Sequence, residues 1–181
     1  MPKTKAARRK TSSARQQTSA RTGAAPKIRP FLWFDHQAEE AAKFYVSVFP
    51  KSKILSVARY PEGSPAPAGT VMTVDFELQG QRFTALNAGP VFKFTEAISF
   101  VVDCKTQEEV DRYWSKLTQD GGSESQCGWL KDRYGLSWQI VPTIMSRLFT
   151  DPDRAAAKRA MQAMLKMKKL DIAELKRAFE G

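Results

Sequence analysis

Ser123 to Pro142, SESQCGWLKDRYGLSWQIVP, is the stretch whose reading decides the fold. Two short runs rich in aromatic and β-branched residues, Cys127 to Lys131 and Leu136 to Val141, flank Asp132-Arg133-Tyr134-Gly135, whose glycine supplies the positive φ that a tight hairpin needs. The spacing predicts a hairpin. Strand alternation puts Cys127, Trp129 and Lys131 on one face of the first strand and Ser137, Gln139 and Val141 on one face of the second, and one of these faces is expected to line a cavity.

Upstream of the hairpin, Glu96 to Asp103 is a β run. Thr106-Gln107-Glu108-Glu109 is a capping box that opens a helix with Val110, Tyr113, Trp114 and Leu117 on its buried stripe. Asp120-Gly121-Gly122 then leads through a short strand into the hairpin. The same order of elements precedes it. Ile28 to Phe34 reads as a strand. Asp35 is placed to cap a helix in which Ala41, Phe44, Tyr45, Val48 and Phe49 recur at helical spacing before Pro50. Lys53 to Tyr60, Thr70 to Leu78 and Arg82 to Ala88 follow as strands, with an irregular loop over 61–69 and a turn at Gly80. At an offset of 68 residues Asp35 meets Asp103, Glu40 meets Glu108, Tyr45 meets Tyr113 and Ser47 meets Ser115. An internal repeat of a βαβββ unit results, over 28–88 and 95–141.

Beyond Pro142 the pattern becomes helical. Asp151-Pro152 reads as N-cap and first helical position of a helix reaching about Lys169 and bearing Met161, Met164 and Leu165. Asp171-Ile172-Ala173-Glu174 is a second capping box before a last helix with Ile172, Leu175 and Phe179. At the other end, Met1 to Pro26 contains no Leu, Ile, Val or aromatic residue, so a disordered basic arm is expected there. Residues 1–29 carry nine basic side chains and no acid, leaving 20 basic against 19 acidic for the remainder of a chain whose net charge is +10. Three parts are therefore expected: an arm over 1–26, a paired-unit domain over 27–142 and a helical extension over 143–181. The arm's charge density suits contact with nucleic acid or another polyanion through residues 3–29, and equally a solvated extension. No apolar run approaches the ~20 residues of a membrane helix, and no signal-peptide core is present. Two cysteines without CxxC spacing and a single histidine argue for a reduced, cytoplasmic protein without a zinc site.

Two successive βαβββ units resemble the vicinal oxygen chelate superfamily, an α+β fold of cupped mixed sheets also called the glyoxalase/bleomycin resistance fold. Four segments are similar to its PhnB-like branch, often labelled 3-demethylubiquinone-9 3-methyltransferase: Pro30 to Asp35, Phe44 to Pro50, Ser99 to Cys104, and Ser125 to Asp132 with Trp138 to Pro142. The resemblance spans about Lys27 to Phe179 and implies a cavity inside the cup and a homodimer. In metal-dependent members, His, Gln or Glu on the first and last strands of each unit hold a divalent ion. Those positions fall near Pro30, Leu86, Ala97 and Gln139, of which only Gln139 could ligate; a register shifted by one brings in Asn87 and Glu96. No metal and no cofactor are expected. A methyl donor is usually held by a glycine-rich turn between strand and helix, and the only glycine pair, Gly121-Gly122, follows a helix.

Of the single residues, His36 reads as exposed at a helix start, Cys104 as structural, Cys127 as a small buried hydrophobe on the cavity strand, and Asp132 and Arg133 as turn chemistry and surface charge. Phe34, Asn87, Cys127, Trp129 and Gln139 are the ligand-pocket candidates, aromatic walls with two amides that both donate and accept; no catalytic residue emerges. The expected function is small-molecule binding without a metal, the reaction unknown. The alternatives are a divalent-metal-dependent lyase, isomerase or dioxygenase of the glyoxalase type, and nucleic-acid association through the arm.

Overall fold

The computed structural model describes residues 27–181; the basic arm and its polyanion contacts lie outside the described residues, apart from Lys27 and Arg29. The first unit runs β1 (Phe31–Phe34), α1 (Ala38–Val48), β2 (Lys53–Arg59), β3 (Val71–Leu78) and β4 (Gln81–Asn87). The second runs β5 (Ser99–Cys104), α2 (Gln107–Thr118), β6 (Ser123–Glu124), β7 (Trp129–Lys131) and β8 (Ser137–Pro142). Each forms a four-stranded mixed sheet, in the orders β1-β4-β3-β2 and β5-β8-β7-β6, with its first and last strands parallel. The repeat of two βαβββ units and the α+β pair of cups implied by the resemblance are the architecture found.

Each helix covers one face of its own sheet, and the two covered faces meet in one core. Tyr45 of α1 stacks on Phe76 of β3 and packs against Trp138 of β8, while Phe49 stacks on both Tyr113 of α2 and Trp138. Phe83 meets Phe100 edge-on, joining β4 to β5 directly. Burial of this many aromatic rings, at roughly 2 kcal/mol or more per side chain, accounts for holding the units together. Among the described residues, neither unit lays a helix of its own on the opposite face of its sheet.

The helix starts separate the two units. Thr106 caps α2 through its side chain, accepting from the Glu109 N–H, and Glu109 reaches back to the Lys105 N–H at 2.6 Å. Asp35 does not cap α1, which begins three residues later without a side-chain cap from its own N-cap residue. Instead Asn87, from the end of β4, accepts the Ala38 N–H at 2.8 Å. The hairpin also differs from expectation in its first strand: Cys127 stands at φ +58° in a turn, and β7 begins only at Trp129.

The C-terminal extension is three helices rather than two: α3 (Ile144–Thr150), α4 (Arg154–Met164) and α5 (Ile172–Glu180). Asp153, not Asp151, caps α4, accepting from the Ala155 and Ala156 N–H groups, and α4 ends before Lys169. Its buried side is Ala156, Ala157 and Ala160, whereas Met161 and Leu165 are exposed. Asp171 caps α5 as its capping box implies. Met145, Leu148, Ala160, Leu170 and Leu175 form a small core against which Val141 of β8 packs.

Candidate ligand site on the open sheet faces

Strand register decides which side chains reach the uncovered faces. In sheet 1 the parallel pairing sets Phe31 beside Thr84 and Trp33 beside Leu86, and the antiparallel pairing adds Thr73 opposite Leu86 and Asp75 opposite Thr84. Since Leu32, Phe34, Val74 and Phe76 fill the core, the open face carries Phe31, Trp33, Thr73, Asp75, Thr84 and Leu86. In sheet 2, Val101, Gln139 and Trp129 lie side by side across β5, β8 and β7, with Ser99 and Ser137 on the same face. Phe31 and Val101 are both 56% exposed, so these faces hold apolar surface that nothing among the described residues covers.

Each face also has a polar row. Arg29 Nε donates to Thr84 Oγ1 at 2.7 Å, Thr84 donates to Asp75 at 2.6 Å, and Ser56 donates to the other oxygen of Asp75 at 3.1 Å. On sheet 2, Gln139 Nε2 donates to Ser99 Oγ at 2.9 Å, and the buried Ser137 hydroxyl has no hydrogen-bond partner among the described residues. A cavity of about 380 Å³ is lined from sheet 1 by Trp33 and from sheet 2 by Lys131, with Phe92 and Phe94 of the connecting segment between them.

The five pocket candidates separate in the structure. Trp129 and Gln139 sit together on the open face of sheet 2. Phe34 is 4% exposed on the helix side, edge-on to Phe94 and Tyr134. Asn87 also points to the helix side, where its amide is spent on Ala38 N–H and on the Val71 carbonyl. Cys127 is on no strand, and its N–H donates to the Met167 carbonyl at 2.7 Å. Asp75, Thr84 and Arg29 were not singled out in the sequence; the alternation of β3 was the one available signal, and it lacks the partner strand that brings Thr84 alongside. Trp138, on the face of β8 opposite to Gln139, is core.

Asp132 lies in the turn, as its residue type suggests, but it is 2% exposed rather than a surface charge. One oxygen accepts the Tyr134 and Leu136 N–H groups, and the other accepts the Tyr45 hydroxyl and the Trp138 indole N–H, each at 2.8 Å. Burial raises its pKa above the usual carboxylate range against the opposing pull of these four donors. The Cys104 thiol, also buried, is pushed up to about 12. His36 is exposed, 3.3 Å from Asp35.

Leu86 and Gln139 occupy matching ladder positions in the two units, opposite Trp33 and Val101. An aliphatic chain and a neutral amide do not make a divalent-metal set, and among the described residues no group of three or more His, Cys, Asp or Glu could hold a metal ion. A methyl-donor cofactor fits no better. The turns from β1 to α1 and from β5 to α2, Asp35-His36-Gln37 and Lys105-Thr106, contain no glycine to admit a ligand against the backbone. Among the described residues no helix is long and apolar enough to cross a membrane.

Paired βαβββ cups with helices on one face define a protein of the vicinal oxygen chelate fold. More narrowly, the chain belongs to the 3-demethylubiquinone-9 3-methyltransferase family, whose model matches residues 26–141. It is similar to a putative 3-demethylubiquinone-9 3-methyltransferase, PhnB protein, from Bacillus cereus, at 40% identity and a TM-score of 0.60 over 65% of this chain and 100% of that one. A Pseudomonas aeruginosa protein shares the fold at 20% identity and TM-score 0.54, covering 64% of this chain and 96% of that one. So does the fosfomycin resistance protein FosX of Mesorhizobium loti, at 11% identity and TM-score 0.50, covering 70% and 98%. No curated protein matches the chain.

Proposed function

We propose that the protein binds a small organic molecule between uncovered sheet faces, without a metal, in a homodimer that sets sheet 1 of one copy against sheet 2 of its partner. The observation that carries this reading is the make-up of those faces: exposed Phe31 and Val101 beside Trp33, Trp129, Gln139 and the Arg29–Thr84–Asp75 row. Apolar walls with a few placed donors and acceptors are the usual composition of a small-molecule site. Two free cysteines fit a reducing, cytoplasmic setting. No reaction is assigned.

Elemental analysis of protein purified without a metal-affinity tag, with thermal-shift titrations of Mn, Ni, Fe and Zn, tests the metal-free part. About one metal per chain, lost in Gln139→Ala, would overturn it and favour glyoxalase-type chemistry. Light scattering tests the dimer: Val101→Glu should give monomers with an unchanged circular dichroism spectrum, and a monomeric parent would sink the paired-face site. The nine basic and no acidic residues of 1–29 support a second, additive role in polyanion contact. Deleting residues 2–26 should then abolish salt-sensitive DNA binding while folding is kept.

A further inference from the structure

The internal repeat gives each unit the same end cleft, between the first turn of its helix, the C-terminal ends of its parallel strands and the loop entering its third strand. In the second unit the chain fills that cleft with its own segment 167–172. Leu170 is fully buried there, against Gly128. Gln107, in the first turn of α2, brackets the segment's backbone: Nε2 donates to the Leu170 carbonyl at 3.1 Å, and Oε1 accepts the Ile172 N–H at 2.9 Å. One turn along the helix, Lys169 pairs with Asp111 at 2.6 Å.

In the first unit the corresponding space is a cavity of about 870 Å³, whose lining includes Glu39, Tyr60, Pro65, Pro67, Val71 and Asn87. The repeat offset of 68 sets Glu39 in the place of Gln107 and Lys43 in that of Asp111. The strand ladders likewise set Asn87 in the place of Ile140, each one residue beyond the matched Leu86 and Gln139. Neutral polar groups around the cavity are already bonded. Asn87 holds Ala38 and Val71, Tyr60 donates to the Asn87 carbonyl, and Thr70 donates to the Pro67 carbonyl. Glu39 bonds Lys43 through one oxygen at 2.7 Å and keeps a second for an N–H donor. The charge one turn on is reversed, Lys43 for Asp111, and Arg59 adds positive charge beside Glu39.

We infer that this cleft binds an extended peptide of a partner protein carrying a leucine-type side chain directly preceded by a carboxylate. The apolar side chain takes the place Leu170 takes in the second unit, the carboxylate meets Lys43, and a backbone N–H two residues on meets Glu39. The second unit supplies the geometry except for the Gln107 Nε2 donor, which the Glu39 carboxylate lacks, and the reversed charge at Lys43 supplies the difference in preference. This inference does not depend on the cup reading, since the cavity lies on the helix side of the strand ends.

The test is fluorescence anisotropy on the full chain with two labelled decapeptides, one copying residues 165–174 and one the same with Lys169→Glu. The Lys169→Glu peptide should bind roughly five-fold tighter, the scale of exchanging one exposed repulsion for an attraction. Lys43→Glu in the protein should reverse that order. Leu170→Ala in the peptide, or Ala66→Trp in the protein to fill the cavity, should abolish binding. Binding that ignores Lys43→Glu and Ala66→Trp but changes with Gln107→Ala would mean that the peptide displaces the chain's own segment, as a second copy's extension could, and would overturn the inference. Failure of both peptides to saturate would overturn it as well.

Discussion

The Tyr45 hydroxyl donates to the Asp132 carboxylate at 2.8 Å, tying the middle of the first unit's helix to the hairpin turn of the second across 87 residues of chain. The Trp138 indole shares the same oxygen, so the carboxylate is held by four donors in the centre of the molecule. Breaking that arrangement leaves buried donors unsatisfied. Asp132→Ala is expected to lower unfolding free energy by on the order of 3 kcal/mol in urea titration. Asp132→Asn should cost a similar amount, because an amide N–H turned towards Tyr45 or Trp138 faces another donor. A loss below about 1 kcal/mol in both would show that the turn holds without this carboxylate.

The raised pKa of Asp132 has a definite sign in the pH dependence of stability. Between the unfolded and folded values the folded protein retains a proton that the unfolded chain has released. The contribution is therefore complete below the unfolded value and is lost as pH rises through the folded one. The stability of the parent minus that of Asp132→Asn should accordingly fall as pH is raised from the acid range through the folded pKa. The carboxylates with lowered values, Glu39, Glu96, Glu108 and Asp111, act in the opposite direction but are common to both proteins and cancel in the difference. A difference that rises with pH would contradict the assignment.

Leu170 joins the extension to the second unit and has no exposed surface. Leu170→Ala should destabilise by about 2–5 kcal/mol if unfolding is one transition. Where the extension detaches first, trypsin should cut at Lys166, Lys168 or Lys169 before the rest of the chain is attacked. Gly128→Ala approaches the same contact from the other side: its Cβ would stand 2.8 Å from the Ile140 carbonyl oxygen and 3.0 Å from Leu170 Cδ1, at φ +86°. Tryptic patterns identical to the parent in both variants would show that the clamp is dispensable.

The two thiols should differ sharply in reactivity. Cys104 is fully buried with its pKa pushed up to about 12, so at pH 8 it offers almost no thiolate. Cys127 is partly exposed. Iodoacetamide at pH 8 should modify Cys127 in the folded protein and Cys104 only after denaturation, as peptide mass mapping would record; equal rates would mean that β5 opens readily.

Much of this architecture was legible because its signals are local. The Asp132–Gly135 turn, the Thr106–Glu109 and Asp171–Glu174 capping boxes and the 68-residue repeat each depend on residues close in sequence or on identities at one fixed spacing. What escaped depends on distant partners. Nothing near Asp132 announces that Tyr45 will bury it, and nothing near Ala38 announces that Asn87 will cap α1. Site residues on strands were exposed to a one-position ambiguity that only the partner strand removes: Leu86 faces the open side and Asn87 the helix. Helix α3 was missed because seven residues without a side-chain cap give periodicity little to act on.

The carbonyls of Met167 and Lys168, which accept the Cys127 and Gly128 N–H groups at 2.7 and 2.8 Å, also impose an order on biosynthesis. The first unit closes its edge with β2, which leaves the ribosome before the strand it pairs with. The second has a β6 of only two residues, and the turn that leads from it into β7 stays without its backbone partners until translation passes Lys168. A nascent chain paused between the hairpin and that point leaves the turn amides of Cys127 and Gly128 without these carbonyls beside the short β6 edge, so the extension's late arrival lengthens the interval in which the second unit is open to non-native pairing.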